Sequence, residues 1–297
     1  MQTPPFRGLG VAMVTPFTRE GAVDEPRLRA LVDWLIESGA DALLPAGSTG
    51  EGATLTFEEQ CRVMDIVLEQ TNGRVPVCPG AGSNATPEAV RLAQHAKHAG
   101  ATAVLSVTPY YNKPEPEGLL RHYAAIAEHA DLPIILYNVP ARTGRNYSAD
   151  VVLRIAHEVP LVVGIKESSG NLTQALEILG SRPAGFAVYA GDDIFAASTM
   201  LMGGDGVISV VGNELPEWTA KMTRAALQGD AETARIWHYR LQPLMQANFW
   251  ETNPAPVKCV LAMLGRIEEN LRLPLVPVSE RTRERLRQLL QQMGILG

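Results

Sequence analysis

The chain has 297 residues, 46% of them hydrophobic and 20% charged, enough apolar material for one large domain or two ordinary ones. Its 26 lysines and arginines against 32 aspartates and glutamates leave a formal charge of −6, which gives a nucleic-acid role no electrostatic support. No stretch approaches the roughly 20 uncharged apolar residues of a membrane span, and the opening MQTPPFRGLG lacks the apolar core of a signal segment, so a cytoplasmic protein is expected.

Short runs of β-formers alternate with helical patterns through the first two-thirds of the chain. In chain order the expected strands are LGVAMVTP (9–16), DALLPAG (41–47), VPVCPGAG (75–82), ATAVLSVTP (101–109), LPIILYNVP (132–140), LVVGIKES (161–168), GFAVYAGD (185–192) and GDGVISVV (204–211). Each is followed by a helix signal. Thr56 precedes FEEQCRVMDIVLEQ with Glu59 placed as in a capping box, and Thr86 precedes PEAVRLAQHAKHAG with proline opening the helix and glycine closing it. From about residue 213 onward only helices follow: PEWTAKMTRAALQ, ETARIWHYRLQPLMQANFW, PAPVKCVLAMLG and SERTRERLRQLLQQM.

Eight strand–helix units predict a right-handed parallel (β/α)8 TIM barrel over residues 1–225, with a C-terminal helical region, 226–297, packed on it as an appendage. An open nucleotide-binding sheet is the alternative. GAGSNA (80–85) formally matches a dinucleotide fingerprint, but the acidic residue expected about 20 positions later is missing, and GSTGEG (47–52) lacks the lysine of a P-loop. Cys61, Cys78 and Cys259 are scattered without CxxC spacing and read as reduced, buried thiols. His95 and His98 share a helix face with no carboxylate or cysteine in the pattern, so no metal site is expected there.

In a parallel barrel the chemistry gathers where strands end. Those ends carry Thr15, then Gly47-Ser48-Thr49, Tyr110-Tyr111, Tyr137, Lys166, Gly191-Asp192 and Ile208-Ser209. Lys166 is one of only five lysines and closes an apolar run. It is either half of an ion pair with a neighbour such as Glu167 or Asp192, or an amine taken out of water. Such an amine favours its neutral, nucleophilic form and can attack a ketone to give a Schiff base. Tyr137 is either an aromatic cap on the core or a phenol that carries protons beside that amine. Arg142 is either a solvated loop charge or a bidentate partner for a carboxylate. The GSTGEG turn is either a glycine-permitted tight turn or a nest of amides for a small anion. Together these residues point to a Schiff-base enzyme acting on a small keto acid. Lys258, in a helical stretch after NPAPV, is not at a strand end, and the prolines of NPAPVK read as fixing a turn and a helix start.

The segments GSTGEGATL (47–55), TPYYNKP (108–114), YNVPARTG (137–144), GIKESSG (164–170), AGDD (190–193), GVISVVGN (206–213) and ETNPAPVK (251–258) cover essentially the whole chain. In register and order they resemble the dihydrodipicolinate synthase family of pyruvate-dependent Schiff-base lyases and aldolases, which includes N-acetylneuraminate lyase. The resemblance implies that Lys166 condenses with pyruvate and that the enamine attacks L-aspartate 4-semialdehyde. The product would be 4-hydroxy-tetrahydrodipicolinate, on the way to lysine and diaminopimelate, with no cofactor beyond the covalent Schiff base. It further implies Tyr137 as general acid/base, Ser48 as a relay hydroxyl in place of the commoner threonine, and Tyr111, from a neighbouring subunit, as the relay's far end. Thr49, with the Ser48 and Thr49 amides, would hold the pyruvate carboxylate. Gly191 and Ile208 would line the pocket through backbone atoms, and Arg142 would meet the semialdehyde carboxylate. At least a homodimer is implied, and commonly a homotetramer made of two dimers. Asn84, Glu88 and Tyr110 match an allosteric lysine site, but Phe57 and Gln60 stand where inhibited members can carry histidine, so weak or absent inhibition by lysine is expected. Two alternatives stay open: a sibling aldolase or dehydratase for a sugar acid or hydroxy-oxo acid, and a keto-acid-binding protein without catalysis.

Overall fold

Strands that read as nearly unbroken apolar runs belong in a parallel sheet covered on both faces. The computed structural model describes residues 3–297, and in it every strand pairing is parallel. The strands are β1 (Gly8–Ala12), β2 (Ala42–Leu44), β3 (Val104–Val107), β4 (Ile134–Asn138), β5 (Val162–Glu167), β6 (Ala187–Ala190) and β7 (Gly206–Ser209). Their spatial order is β2-β1-β7-β6-β5-β4-β3, the sequential order of a barrel cut open between β2 and β3.

The cut falls at VPVCPGAG, and here the expectation of eight ladder-forming strands is corrected. Residues 76–81 run between β2 and β3 but meet them only through isolated bridges, Leu43 with Val77 and Gly80 with Leu105. Leu43 N–H donates to Pro76 O at 3.0 Å and Cys78 N–H to Leu43 O at 2.9 Å. On the other side Leu105 N–H donates to Pro79 O at 2.9 Å and Ala81 N–H to Leu105 O at 2.9 Å. Pro76 and Pro79 have no N–H to give, so each removes a rung and no continuous ladder forms. The stave is still present, and the fold is the expected TIM barrel.

Among the described residues, twelve α-helices surround it: α1 (Glu25–Glu37), α2 (Phe57–Thr71), α3 (Thr86–His98), α4 (Pro116–Ala130), α5 (Pro140–Thr143), α6 (Ala149–Glu158), α7 (Leu172–Ser181), α8 (Ala196–Leu201), α9 (Pro216–Leu227), α10 (Ala231–Ala247), α11 (Ala255–Met263) and α12 (Glu280–Gln292). The capping box of α2 is formed: Glu59 N–H donates to Thr56 Oγ1 at 3.2 Å, and Thr56 N–H donates to Glu59 Oε2 at 3.0 Å. Thr86, by contrast, is the first residue of α3 and not its cap; its hydroxyl reaches across to His122 Nδ1 on α4, 2.9 Å away. His95 finds a carboxylate after all, Asp65 on α2 at 2.8 Å, supplied by the neighbouring helix and therefore invisible in the local pattern.

The apolar side chains divide by pleat. Alternate strand residues face outward and pack beneath the helices, while Ala12, Leu44, Ile135, Tyr137, Tyr189 and Ile208 fill the lumen. Phe6 plugs the N-terminal end, stacked on Tyr189 with ring centroids 4.3 Å apart. Helices α10–α12 bury Leu241, Leu244, Val257, Leu286 and Leu290 in the same core cluster as Leu9 and Val11 of β1. Cys61, Cys78 and Cys259 are buried and free. Among the described residues, no helix is long and apolar enough to cross a membrane.

Candidate active site

Register places the lysine. In the parallel pairings Tyr137 of β4, Lys166 of β5 and Tyr189 of β6 lie side by side in one row, and both tyrosines belong to the lumen cluster. The row before it, Leu136, Ile165 and Val188, belongs to the cluster under the helices. Because strand side chains alternate with a period of two, Lys166 must point into the barrel. It is 5% exposed, and its Nζ lies 4.4 Å from the centroid of the Tyr137 ring.

The ion-pair reading of Lys166 fails on the geometry. Glu167 faces the opposite way and is engaged by Asn138 Nδ2 at 3.1 Å, Gln174 Nε2 at 3.0 Å and the Ser169 N–H at 2.6 Å. Asp192 caps the next turn, accepting from Ile194 N–H at 3.2 Å. Among the described residues, no carboxylate pairs with Lys166. Gly191 donates its N–H to Glu167 O at 2.8 Å, and a methyl group in place of its hydrogen would lie 2.9 Å from Lys166 Cγ. It would meet the Ser168 hydroxyl even sooner, so glycine there leaves room for that hydroxyl and for the stem of Lys166.

Beside Tyr137, the neighbour of Lys166 in that row, opens a cavity of about 450 Å³, large enough for two small metabolites; Lys166, Thr49, Gly191 and Ile208 lie behind its lining and not in it. Ser48, Tyr137, Arg142 and Asn253 line it, and it continues outward to Glu88 and Tyr110. Its floor on the β2 side is the GSTGEG turn. Gly52 N–H closes back on Gly47 O at 3.0 Å, and Thr15 Oγ1 donates to Gly50 O at 2.7 Å. Neither the Ser48 nor the Thr49 amide donates to any group among the described residues. Two adjacent amides beside a cavity are thus left unspent, as an anion nest would require.

Arg142 rises from α5 at the cavity mouth, and its Nη2 donates to Asn253 O at 3.2 Å. No carboxylate pairs with it among the described residues. Ile208 of β7 is wholly buried in the lumen cluster. Tyr111 stands apart from the rest: it is 90% exposed, with φ of 66°, and projects away from the chain. Of the residues expected near an allosteric site, Glu88 and Tyr110 line the outer cavity, where the Ser83 hydroxyl bonds Glu88. Asn84 uses its carbonyl to accept from Asn112 Nδ2 at 2.8 Å. Gln60 is spent on the Gly52 carbonyl at 3.0 Å, and Phe57 carries the Arg91 guanidinium 4.1 Å from its ring centroid.

Sequence reasoning missed a second layer beneath the turn. Asn253 Nδ2 donates to Thr49 Oγ1 at 3.0 Å, and Lys258 and Glu51 form an ion pair with both side chains fully buried. The available signal was a lone lysine in the apolar run APVKCVLAM, since a charge on an otherwise apolar helix demands a buried partner. Among the described residues, no group of three or more histidine, cysteine or acidic side chains converges.

This arrangement has close counterparts. The model of the dihydrodipicolinate synthetase family matches residues 5–293. A 4-hydroxy-tetrahydrodipicolinate synthase of Acidobacterium capsulatum is 51% identical over 97% of this chain and 96% of its own. The crystal structure of a chloride-inhibited dihydrodipicolinate synthase from Acinetobacter baumannii complexed with pyruvate superposes with a TM-score of 0.96 at 43% identity, covering 98% of this chain and 99% of that one. A variant described as the first monomeric dihydrodipicolinate synthase gives 0.95 at 43% identity, covering 98% of each chain. With likeness of this extent in both sequence and backbone, the chain belongs to the dihydrodipicolinate synthetase family.

Proposed function

We propose that the protein is a 4-hydroxy-tetrahydrodipicolinate synthase that joins pyruvate, held as a Schiff base on Lys166, to L-aspartate 4-semialdehyde. The observation that carries this reading is the buried Lys166 amine, without a carboxylate partner among the described residues, in one row with Tyr137 beside a cavity that also holds two unspent amides and an arginine with no carboxylate partner. The Acinetobacter relative, solved with pyruvate, supports the choice of keto acid.

The chemistry follows from the groups present. Pyruvate's carboxylate seats on the Ser48 and Thr49 amides, which places its ketone over Lys166. The amine attacks the ketone carbon, and the carbinolamine loses water to give the imine, with Tyr137 supplying and removing protons and Ser48 and the partner subunit's tyrosine at position 111 linking it to solvent. Loss of a methyl proton gives the enamine, whose carbon attacks the aldehyde while Arg142 holds the second carboxylate. The amino group of the added unit then attacks the imine carbon, closes the ring and expels Lys166. The lysine itself serves as electron sink, so the reaction needs no resident cofactor.

The same reading makes the protein at least a homodimer, and commonly a tetramer, because Tyr111 is too exposed to serve its own site. It also places the protein in the cytoplasm, where its buried free thiols stay reduced. It makes feedback by L-lysine weak, because Gln60 and Phe57 are committed to the chain's own groups; a half-inhibition constant in the low micromolar range would overturn that statement. The first experiment is pyruvate-dependent consumption of L-aspartate 4-semialdehyde with Lys166→Ala as control. Turnover that vanishes in the variant is the expected result. Without turnover, a borohydride-trapped pyruvate adduct on Lys166 would leave a sibling aldolase, and no adduct would leave a binding protein.

A further inference from the structure

Lys258 has no place in the chemistry above, yet it is wholly buried in α11, far along the chain from the turn it touches. Its amine pairs with Glu51, donates to Asn270 O at 2.8 Å and lies 4.2 Å from the centroid of the Phe17 ring. The other oxygen of Glu51 accepts the Arg272 N–H at 3.2 Å. Glu51 ends the segment that begins at Ala46, and both have left-handed backbones, with φ of 54° and 57°. Neither is glycine, so the conformation is not one that the turn adopts on its own preference. Between them lie the Ser48 and Thr49 amides. The turn closes on itself through Glu51 N–H to Ser48 O at 3.1 Å and Gly52 N–H to Gly47 O at 3.0 Å, and contacts from outside add to that hold. Thr15 and Asn253 tie its middle, while Lys258 holds its end through a charge.

We propose that Lys258 is a positioning residue, its buried ion pair with Glu51 setting the turn so that the Ser48 and Thr49 amides converge on the carboxylate of the keto acid. The inference rests on the reading of that turn as the pyruvate nest. It gives NPAPVK a purpose that helix formation alone does not: Asn253 and Lys258, five residues apart on one segment, grip the turn at Thr49 and at Glu51. Burial lowers the Lys258 amine to about 8, with the Glu51 carboxylate opposing the fall, so the carboxylate is what keeps a charge at this depth.

A pair that merely stabilises the fold and a pair that positions the turn respond differently to removal of both charges. Breaking a buried pair leaves one charge stranded, whereas replacing both partners relieves it. The test compares Lys258→Met, Glu51→Gln and the double variant for melting temperature, for kcat and for the KM of each substrate. Positioning predicts that the double variant regains most of the melting temperature lost by Lys258→Met yet keeps a pyruvate KM raised about 10-fold or more, with the semialdehyde KM within about 2-fold of the parent. Glu51→Gln, which keeps volume and an acceptor oxygen, is expected to show the same KM split even if Lys258→Met does not fold. Recovery of melting temperature and pyruvate KM together, or an unchanged pyruvate KM in any folded variant, overturns the proposal. If the parent protein forms no borohydride-trapped adduct with pyruvate, the reading of the nest falls first and the proposal with it; an adduct with normal KM values in the variants defeats the proposal alone.

Discussion

At the scale of single residues, Lys166 and Lys258 are the two buried lysines, one without a carboxylate partner among the described residues and one paired with Glu51. On the proposed reading the difference separates reactivity from support. An amine that keeps no carboxylate can be spent on a carbonyl, whereas one that neutralises a buried acid cannot leave it without stranding a charge. Lys258→Met should accordingly lower stability by about 3–5 kcal/mol, measurable as a fall in denaturant midpoint at unchanged slope. Arg142→Ala should lower kcat/KM for the semialdehyde roughly 100-fold while leaving the trapped pyruvate adduct intact, because on the proposed reading the guanidinium meets only the second substrate; undiminished turnover would favour a sibling aldolase with a different aldehyde. Lys166 was legible in the chain because a strand should not end on an amine without cause. Lys258 was not, because helix periodicity treats a lysine as solvated unless its partner is known, and that partner, Glu51, lies in the turn after β2. Asn253 was hidden for the same reason.

At the scale of elements, the alternation of apolar runs and helix caps carried nearly all of the barrel, and the exceptions have local causes. The third stave looked like a strand because Val75, Val77 and Cys78 are good β residues, but pairing depends on donors, and two of its positions have none. Thr86 looked like a cap, yet its hydroxyl is used between helices, where it meets His122. That histidine is 5% exposed, and burial brings its imidazole from 6.5 down to about 4, so it is neutral in the folded protein through the range where an unfolded chain would protonate it. Its folded value lies below its unfolded one. The associated stability is complete above about pH 6.5 and is lost as pH falls toward 4, with a ceiling of about 3 kcal/mol. His122→Gln should flatten this part of the stability profile, so unfolding curves of parent and variant at pH 7 and pH 4.5 should diverge in slope with pH; parallel profiles would show that His122 titrates normally.

At the scale of the whole molecule, the barrel and the C-terminal helices form a single body, since α11 buries its lysine under the β2 turn and α10 and α12 share the core of β1. Truncation before α11 should therefore abolish pyruvate binding as well as lower stability, an outcome read by adduct trapping on the shortened chain. The packing of this region on the barrel was expected from the sequence, but its contact with the β2 turn was not, because an appendage and an integral support have the same helical periodicity. The exposure of Tyr111, at 90%, has a kinetic consequence. On the proposed reading each subunit owns its imine-forming amine but borrows the last member of its proton path, so the two halves of the work scale differently with protein concentration. Dilution below the dissociation constant of the dimer should leave pyruvate capture per subunit nearly constant while specific turnover falls. The enzyme would then be a catalyst whose proton wiring, and not its nucleophile, is assembled by mass action.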